Sequence, residues 1–147
     1  MRDNGIEKLK SQTIFLDTAP LIYFIEGNSA YQAYLKNFFA AFDKKEFSII
    51  TSSLTLLEVL VQPIKLNRPD LVSQYKKILS SASGIDLIEI TLAVAYRAAE
   101  LRAKYGLKTP DAIQVGTALE YGAQYFLTND SRLKIVKEIE TITPQEL

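Results

Sequence analysis

Residues 109–130 read TPDAIQVGTALEYGAQYFLTND, and this stretch decides how the chain folds. Thr109 is predicted to cap a helix that has Pro110 as its first residue, and Gly122 is placed to end that helix. Residues 124–128 are a short apolar run rich in aromatic and β-branched side chains, which predicts a strand buried on both faces. A helix that leads directly into a buried strand indicates an α/β fold.

The same alternation continues through the rest of the chain. Further strands are predicted over residues 13–16, 47–51 and 86–90, with an edge strand at 138–143 that Pro144 ends. Helices are predicted over residues 19–25, 30–42, from Ser53 to a stop or bend at Pro63, 70–82 after Pro69, and Leu92–Tyr105 between Thr91 and Gly106. This order predicts a three-layer α/β/α fold with a central parallel sheet, in one domain of residues 1–147 with its core at about 13–143.

The composition excludes several kinds of chemistry. The 147 residues contain no His and no Cys, which rules out an imidazole base, a thiolate nucleophile, a structural zinc site and a disulfide framework. Seventeen basic residues balance seventeen acidic ones, so the chain is not a globally basic nucleic-acid binder. The longest uncharged run, residues 47–57, is too short to span a membrane, and the N-terminus has no apolar signal core. We therefore expect a cytoplasmic protein without a membrane partner.

Two acidic residues follow predicted strands at the point where each strand ends. Asp17 comes directly after residues 13–16, and Asp130 comes shortly after residues 124–128. Ligands of open parallel sheets bind beyond the carboxyl ends of the strands, so both carboxylates are candidates for a site at this edge. Either residue alone is also explained as a turn or helix-cap residue.

Two further acids lie on predicted helices. Residues 54–62 are apolar nearly all round, which predicts a buried helix, and Thr55, Glu58 and Gln62 form its one polar stripe. That stripe faces either a cleft or a narrow solvent edge. Asp111 begins an otherwise apolar stripe that continues through Val115, Ala118 and Leu119. A carboxylate there is either functional or serves the helix N-terminus, and both roles are compatible.

The four acids Asp17, Glu58, Asp111 and Asp130 are together more informative than any one of them. Two carboxylates about 4 Å apart repel by roughly 4 kcal/mol at an effective dielectric of 20. The chain has no His, and no Lys partner is evident in the same motifs. A divalent cation that prefers oxygen ligands, Mg²⁺ or Mn²⁺, would neutralise such a cluster and supply a water nucleophile.

These motifs resemble those of the PIN-domain nucleases, and among them the VapC-type toxins of toxin–antitoxin pairs. The resemblance covers about residues 14–143. It is carried by IFLDTAPLIYF at 14–24, by Leu57-Glu58-Val59, and most specifically by TPDAIQVGTAL at 109–119 followed by FLTND at 126–130. Many relatives carry Asn after the Asp-Thr or Asp-Ser pair of the first motif, whereas this chain has Ala19-Pro20, which affects rate or substrate preference more than reaction class.

The resemblance implies a metal-dependent ribonuclease with a sheet of about five parallel strands. It implies that the four acids hold one or two Mg²⁺ or Mn²⁺ ions. We predict that Asp17 and Asp111 bind the principal ion, and that Glu58 and Asp130 complete the site or orient the water that attacks RNA. The resemblance also implies a homodimer and inhibition by a cognate antitoxin protein. The alternative is a catalytically weak PIN-fold module that binds or regulates.

Three further groups of residues have candidate roles. Thr18 and Thr128 are candidate hydroxyls that support the acids. Seven basic residues are candidate phosphate contacts or ordinary solvated side chains: Arg97, Arg102, Lys104, Lys108, Arg132, Lys134 and Lys137. Five aromatic residues on one predicted helix fit the core, a dimer contact or an antitoxin groove: Tyr31, Tyr34, Phe38, Phe39 and Phe42.

Overall fold

The structure, a computed structural model, describes residues 5–80 and 83–147. Its centre is a five-stranded sheet in the order β3-β2-β1-β4-β5, with every neighbouring pair parallel. The strands are β1 (Thr13–Leu16), β2 (Ser48–Ser52), β3 (Asp86–Ile88), β4 (Tyr125–Leu127) and β5 (Glu140–Ile142). Because the sheet is parallel, the carboxyl ends of all five strands lie along one edge.

Helices cover both faces of this sheet. They are α1 (Thr18–Glu26), α2 (Gln32–Asp43), α3 (Ser53–Lys65), α4 (Pro69–Ile78), α5 (Leu92–Tyr105) and α6 (Thr109–Glu120), with short 3₁₀ turns at Glu7–Leu9, Ser131–Ile135 and Pro144–Glu146. In β1, Ile14 and Leu16 belong to an apolar cluster shared with α1–α4, whereas Phe15 belongs to a second cluster shared with α5 and α6. Successive strand residues point to opposite faces, so the three-layer α/β/α prediction is confirmed.

The strand register aligns the ends of β1 and β4. Phe15 lies opposite Phe126, and the two fully buried rings stack with their centroids 5.2 Å apart. The next pair is Leu16 and Leu127, and the amide of Asp17 then donates a hydrogen bond to the Leu127 carbonyl at 3.0 Å. This register brings the segments that follow both strands to the same position on the sheet edge.

Several helix boundaries agree with the sequence predictions. Helix α5 has the predicted bounds, the Thr91 hydroxyl caps it by accepting from the Val94 amide at 3.2 Å, and Gly106 ends it with φ at 69°. The strands lie within the predicted ranges or one residue beyond them. In the described residues, no helix combines the length and apolar character that crossing a bilayer requires.

Several predicted helix boundaries are wrong. Helices α1 and α2 are predicted over residues 19–25 and 30–42 but span Thr18–Glu26 and Gln32–Asp43. Thr109 is the first residue of α6 rather than its cap, and Asp111 provides the favourable negative charge in the first turn. Of the stop or bend predicted at Pro63, the stop is wrong: Pro63 lies inside α3, and the helix continues with the Leu66 amide donating to the Gln62 carbonyl at 2.8 Å. Helix α4 ends at Ile78, and the last two residues of the predicted helix, 81 and 82, lie outside the described residues.

Helix α3 is not buried all round, which corrects the sequence interpretation. Leu57, Val61 and Ile64 share one face and are 59%, 51% and 63% exposed. The opposite face is buried against the sheet and its neighbours, with Thr55 fully buried. The pattern was misleading because an apolar residue on the open face of a helix looks the same in sequence as one in the core.

The aromatic helix α2 contributes mainly to the core. Phe38 and Phe39 are buried, and their rings contact each other with centroids 5.1 Å apart. Phe39 also stacks on Phe24 of α1 at 4.2 Å, which ties α1 to α2. Tyr34 is 39% exposed, so only part of the aromatic set remains available for a partner.

Candidate active site

Asp17 lies immediately after β1, where it is both the N-cap of α1 and the most enclosed acid of the candidate site. Its Oδ1 accepts from the Thr18 amide at 2.8 Å, and its Oδ2 accepts from the Thr128 hydroxyl at 2.8 Å. Burial raises the pKa of the Asp17 carboxyl and the nearby Asp111 charge adds to the rise, while the hydrogen bonds oppose it. Asp17 therefore caps α1 and at the same time lines the candidate pocket.

Thr18 connects Asp17 to Glu58. While its amide donates to Asp17, its hydroxyl donates to Oε1 of Glu58 on α3 at 2.6 Å. One threonine thus contacts two carboxylates: that of its neighbour Asp17, and that of Glu58, which lies 40 residues from Thr18 in the chain. The prediction that Thr18 and Thr128 support the acids is consistent with these contacts.

Asp111 lies in the first turn of α6 and faces the same space. It lines a pocket of about 270 Å³ with Asp17, Glu58 and five neighbours: Thr18, Ala19, Ile22, Pro110 and Gln114. Burial raises the pKa of the Asp111 carboxyl, and the charges of Asp130 and Glu58 raise it further. The structure therefore brings three of the four predicted acids to one pocket and leaves them repelling one another.

Asp130 is arranged differently from the other three acids. It is the N-cap of the turn after β4, and its carboxylate is paired with the guanidinium of Arg132 at 2.8 Å. That pairing lowers the pKa of the Asp130 carboxyl, and Asp130 does not line the pocket. No Lys partner was expected for the four acids, and Asp130 is paired instead with an arginine.

Gln114 is a site residue that the sequence interpretation missed. Its side chain is buried and donates to the Thr55 hydroxyl at 2.7 Å and to Asp17 Oδ1 at 3.4 Å, while its carbonyl oxygen accepts from the Ser52 hydroxyl. It therefore joins β2, α3 and α6 to Asp17. The available signal was an amide one helical turn after Asp111, within a run of buried residues.

The basic residues near the site are mostly engaged elsewhere. Three ion pairs hold Arg97 to Glu120, Lys104 to Glu138, and Lys134 to Glu146. Arg102 donates to the Leu107 carbonyl at 2.9 Å. Lys108 and Arg132 are the two whose charges act on Asp111. Most of this basic set therefore fits the description of solvated helix faces.

The donor atoms around the pocket suit a divalent cation that prefers oxygen. Asp17, Glu58 and Asp111 offer only carboxylate oxygens, and no ion pair among residues 5–80 and 83–147 involves any of them. In the same loop as Asp130, the side-chain oxygen of Asn129 is buried and has no hydrogen-bond partner. No three acidic side chains in the described part of the chain already form a metal-holding group, so a cation would have to draw the carboxylates together.

The model of the PIN domain family matches residues 14–139, a span that contains all four acids. This chain belongs to the PIN domain family. No curated protein matches it in sequence.

Solved structures share the architecture of this PIN domain. A toxin–antitoxin complex from Klebsiella pneumoniae contains a chain 26% identical to it, with a TM-score of 0.66, covering 91% of this chain and 99% of that one. VapBC2 from Rickettsia felis, bound to a promoter DNA fragment, is 19% identical with a TM-score of 0.69, covering 89% of this chain and 98% of that one. VapC20 from Mycobacterium tuberculosis, a sarcin-ricin loop cleaving toxin, is 16% identical with a TM-score of 0.70, covering 86% of this chain and 97% of that one.

Replacing Thr128 with Val in this PIN domain tests the support of Asp17. The change keeps the side-chain shape but removes the donor to Asp17 Oδ2 and the acceptor for the Asp130 amide, which lies 3.1 Å away. We expect the free energy of unfolding to fall by about 1.5–3 kcal/mol, the usual contribution of a hydrogen bond to a charged group. Urea denaturation followed by circular dichroism measures this change.

Thr141→Val is the matched control for Thr128→Val. Thr141 of β5 is also a buried threonine, but its hydroxyl makes only a 3.4 Å contact with the Leu133 carbonyl and touches no acid. We expect Thr141→Val to lower the unfolding free energy by less than Thr128→Val does. Equal effects of the two changes would mean that the Thr128–Asp17 hydrogen bond adds nothing beyond a generic buried hydroxyl.

Proposed function

We propose that this PIN domain is a ribonuclease that requires Mg²⁺ or Mn²⁺ and acts as the toxin of a toxin–antitoxin pair. The observation that carries the proposal is the pocket at the carboxyl edge of the sheet. There Asp17, Glu58 and Asp111 line one pocket, and none of them forms an ion pair among the described residues. Such an arrangement is unfavourable by itself and becomes favourable around a doubly charged cation.

Each acid has a proposed role. Asp17 and Asp111 would hold the principal cation, with Glu58 and Asp130 completing the set or orienting the attacking water. A bound divalent cation stabilises charge on phosphate oxygens and lowers the pKa of water. The hydroxyls of Thr18 and Thr128 fix the directions of the Glu58 and Asp17 carboxylates before any ligand binds, which reduces the reorganisation that binding requires.

The proposed partners follow from the solved neighbours. The Klebsiella pneumoniae and Rickettsia felis structures are toxin–antitoxin assemblies, which supports a cognate antitoxin for this chain. The loop-cleaving VapC20 toxin supports RNA as the substrate. A homodimer and a cytoplasmic location remain part of the proposal, and sedimentation velocity measures the first of these.

The test is cleavage of a structured RNA by the purified protein. We expect cleavage with Mg²⁺ or Mn²⁺, loss of cleavage with excess EDTA, and recovery when the cation is restored above the chelator concentration. Cation-independent cleavage would contradict the proposed chemistry. Mn²⁺ binding without cleavage of any RNA in a transcriptome-wide pool would favour the catalytically weak binding module instead.

A further inference from the structure

Arg132 donates hydrogen bonds to both carboxylate oxygens of Asp130, one of the four candidate site acids. The Arg132 Nε donates to Oδ1 at 2.9 Å and its Nη2 donates to Oδ2 at 2.8 Å, while the Arg132 amide donates to Oδ1 at 3.0 Å. Both oxygens of Asp130 are therefore engaged by a residue two positions along the chain. A guanidinium makes this two-point contact with a carboxylate because its donors form a planar fork.

The position of Asp130 ties it to the pocket although its carboxylate does not line it. Its amide donates to the Thr128 hydroxyl, and that hydroxyl donates to Asp17, so one threonine connects the backbone of Asp130 to the carboxylate of Asp17. The charges of Asp130 and Arg132 both act on Asp111. A fourth acid is therefore held at the edge of the pocket with its charge already compensated.

We propose that Arg132 is an internal competitor for the divalent cation: it holds Asp130 in the cation-free protein and is exchanged when the cation binds. This inference rests on the proposed function only in assuming that the acids bind Mg²⁺ or Mn²⁺. The exchange is feasible because the Arg132 side chain is 79% exposed and Asp130 30%. Exposed ion pairs contribute little net stability, so a doubly charged ligand displaces them readily.

A substitution of Lys108 distinguishes direct competition for Asp130 from a general effect of positive charge near the pocket. Its charge also acts on Asp111 and Asp130, yet none of the ion pairs among the described residues involves Lys108. Lys108→Gln and Arg132→Gln remove the same charge from the same neighbourhood. Only the second change also frees the oxygens of Asp130.

The experiment is a titration of the full chain with Mn²⁺, in which the electron paramagnetic resonance signal measures the concentration of the free ion. The proteins are wild type, Arg132→Gln, Lys108→Gln, Asp130→Asn and Asp130→Asn/Arg132→Gln. We expect Arg132→Gln to bind Mn²⁺ about two- to fivefold more tightly than wild type, the size that an exposed pair can supply, and Lys108→Gln to change affinity less. In the Asp130→Asn background, Arg132→Gln should tighten binding no more than Lys108→Gln does, because only its through-space charge effect on Asp111 remains.

Two results would overturn the competition while leaving the cation site intact. One is equal tightening by Lys108→Gln and Arg132→Gln, which would show a through-space charge effect alone. The other is tightening by Arg132→Gln that is undiminished when the Asp130 carboxylate is absent. If neither wild type nor Arg132→Gln binds Mn²⁺, the competition and the proposed cation site both fail.

Discussion

Asp17→Asn and Asp111→Asn should each lower the rate of RNA cleavage by about 100-fold or more, the scale at which removal of one charge-stabilising group acts in a hydrolase. Both changes keep the side-chain size and remove one negative charge from the pocket. Asp17→Asn also leaves one acceptor oxygen in place of two, so the side chain can still accept from the Thr18 amide or from the Thr128 hydroxyl. Cleavage rates at saturating Mn²⁺ and fixed RNA concentration measure the effect.

Asp70→Asn is the matched control for these substitutions. Asp70 lies in the first turn of α4 and is exposed, with its carboxylate paired to Arg68 at 2.8 Å, and it lines no part of the acidic pocket. We expect Asp70→Asn to cleave RNA at the wild-type rate. Undiminished cleavage by both Asp17→Asn and Asp111→Asn would remove the proposed site.

Thermal melting gives a second measurement that does not depend on activity. A ligand that binds only the folded state raises the melting temperature, and the rise grows with the logarithm of its concentration once that exceeds the dissociation constant. We therefore expect Mn²⁺ to stabilise wild type and Asp70→Asn, and to have little effect on Asp111→Asn. Removing a charge that repels its neighbours should also make Asp111→Asn at least as stable as wild type when no cation is present.

The sequence predicts the strand-end acids well because simple geometry determines them. An apolar run that ends in Asp places the carboxylate at the carboxyl edge of a parallel sheet, and the register of β1 with β4 then aligns Asp17 with the segment that leads to Asp130. Helix α5 is equally predictable, since Thr91 and Gly106 determine its ends locally. These features need no knowledge of which helices pack together.

The features that the sequence did not predict all depend on neighbours distant in the chain. Whether Leu57 of α3 is buried depends on what covers that face, and apolar character alone does not say. The Asp130–Arg132 pair is local in sequence, but its effect on the site depends on how close Asp111 of α6 lies. Gln114 contacts residues 59 to 97 positions away, which periodicity cannot identify.

Gln114→Leu should affect both the stability of the fold and the binding of the cation. The change keeps similar bulk but leaves the buried Ser52 hydroxyl without its acceptor, at about 1–3 kcal/mol, and removes the amide donor to Thr55, whose hydroxyl keeps its contact with Thr51. We expect the unfolding free energy to fall by about 2–4 kcal/mol, which a domain with roughly 5–15 kcal/mol tolerates. Urea denaturation measures this loss.

The same substitution should weaken Mn²⁺ binding by about 10- to 100-fold, as loss of a residue that orients a metal ligand commonly does. Gln114 contacts Asp17 from a helix that also carries Asp111, so losing its contacts frees both acids to move relative to each other. Gln62→Leu makes the same chemical change on the exposed surface of α3 and should alter neither property. A Gln114→Leu protein that loses stability but binds Mn²⁺ as wild type does would limit Gln114 to a packing role, because the acids would then be positioned without it.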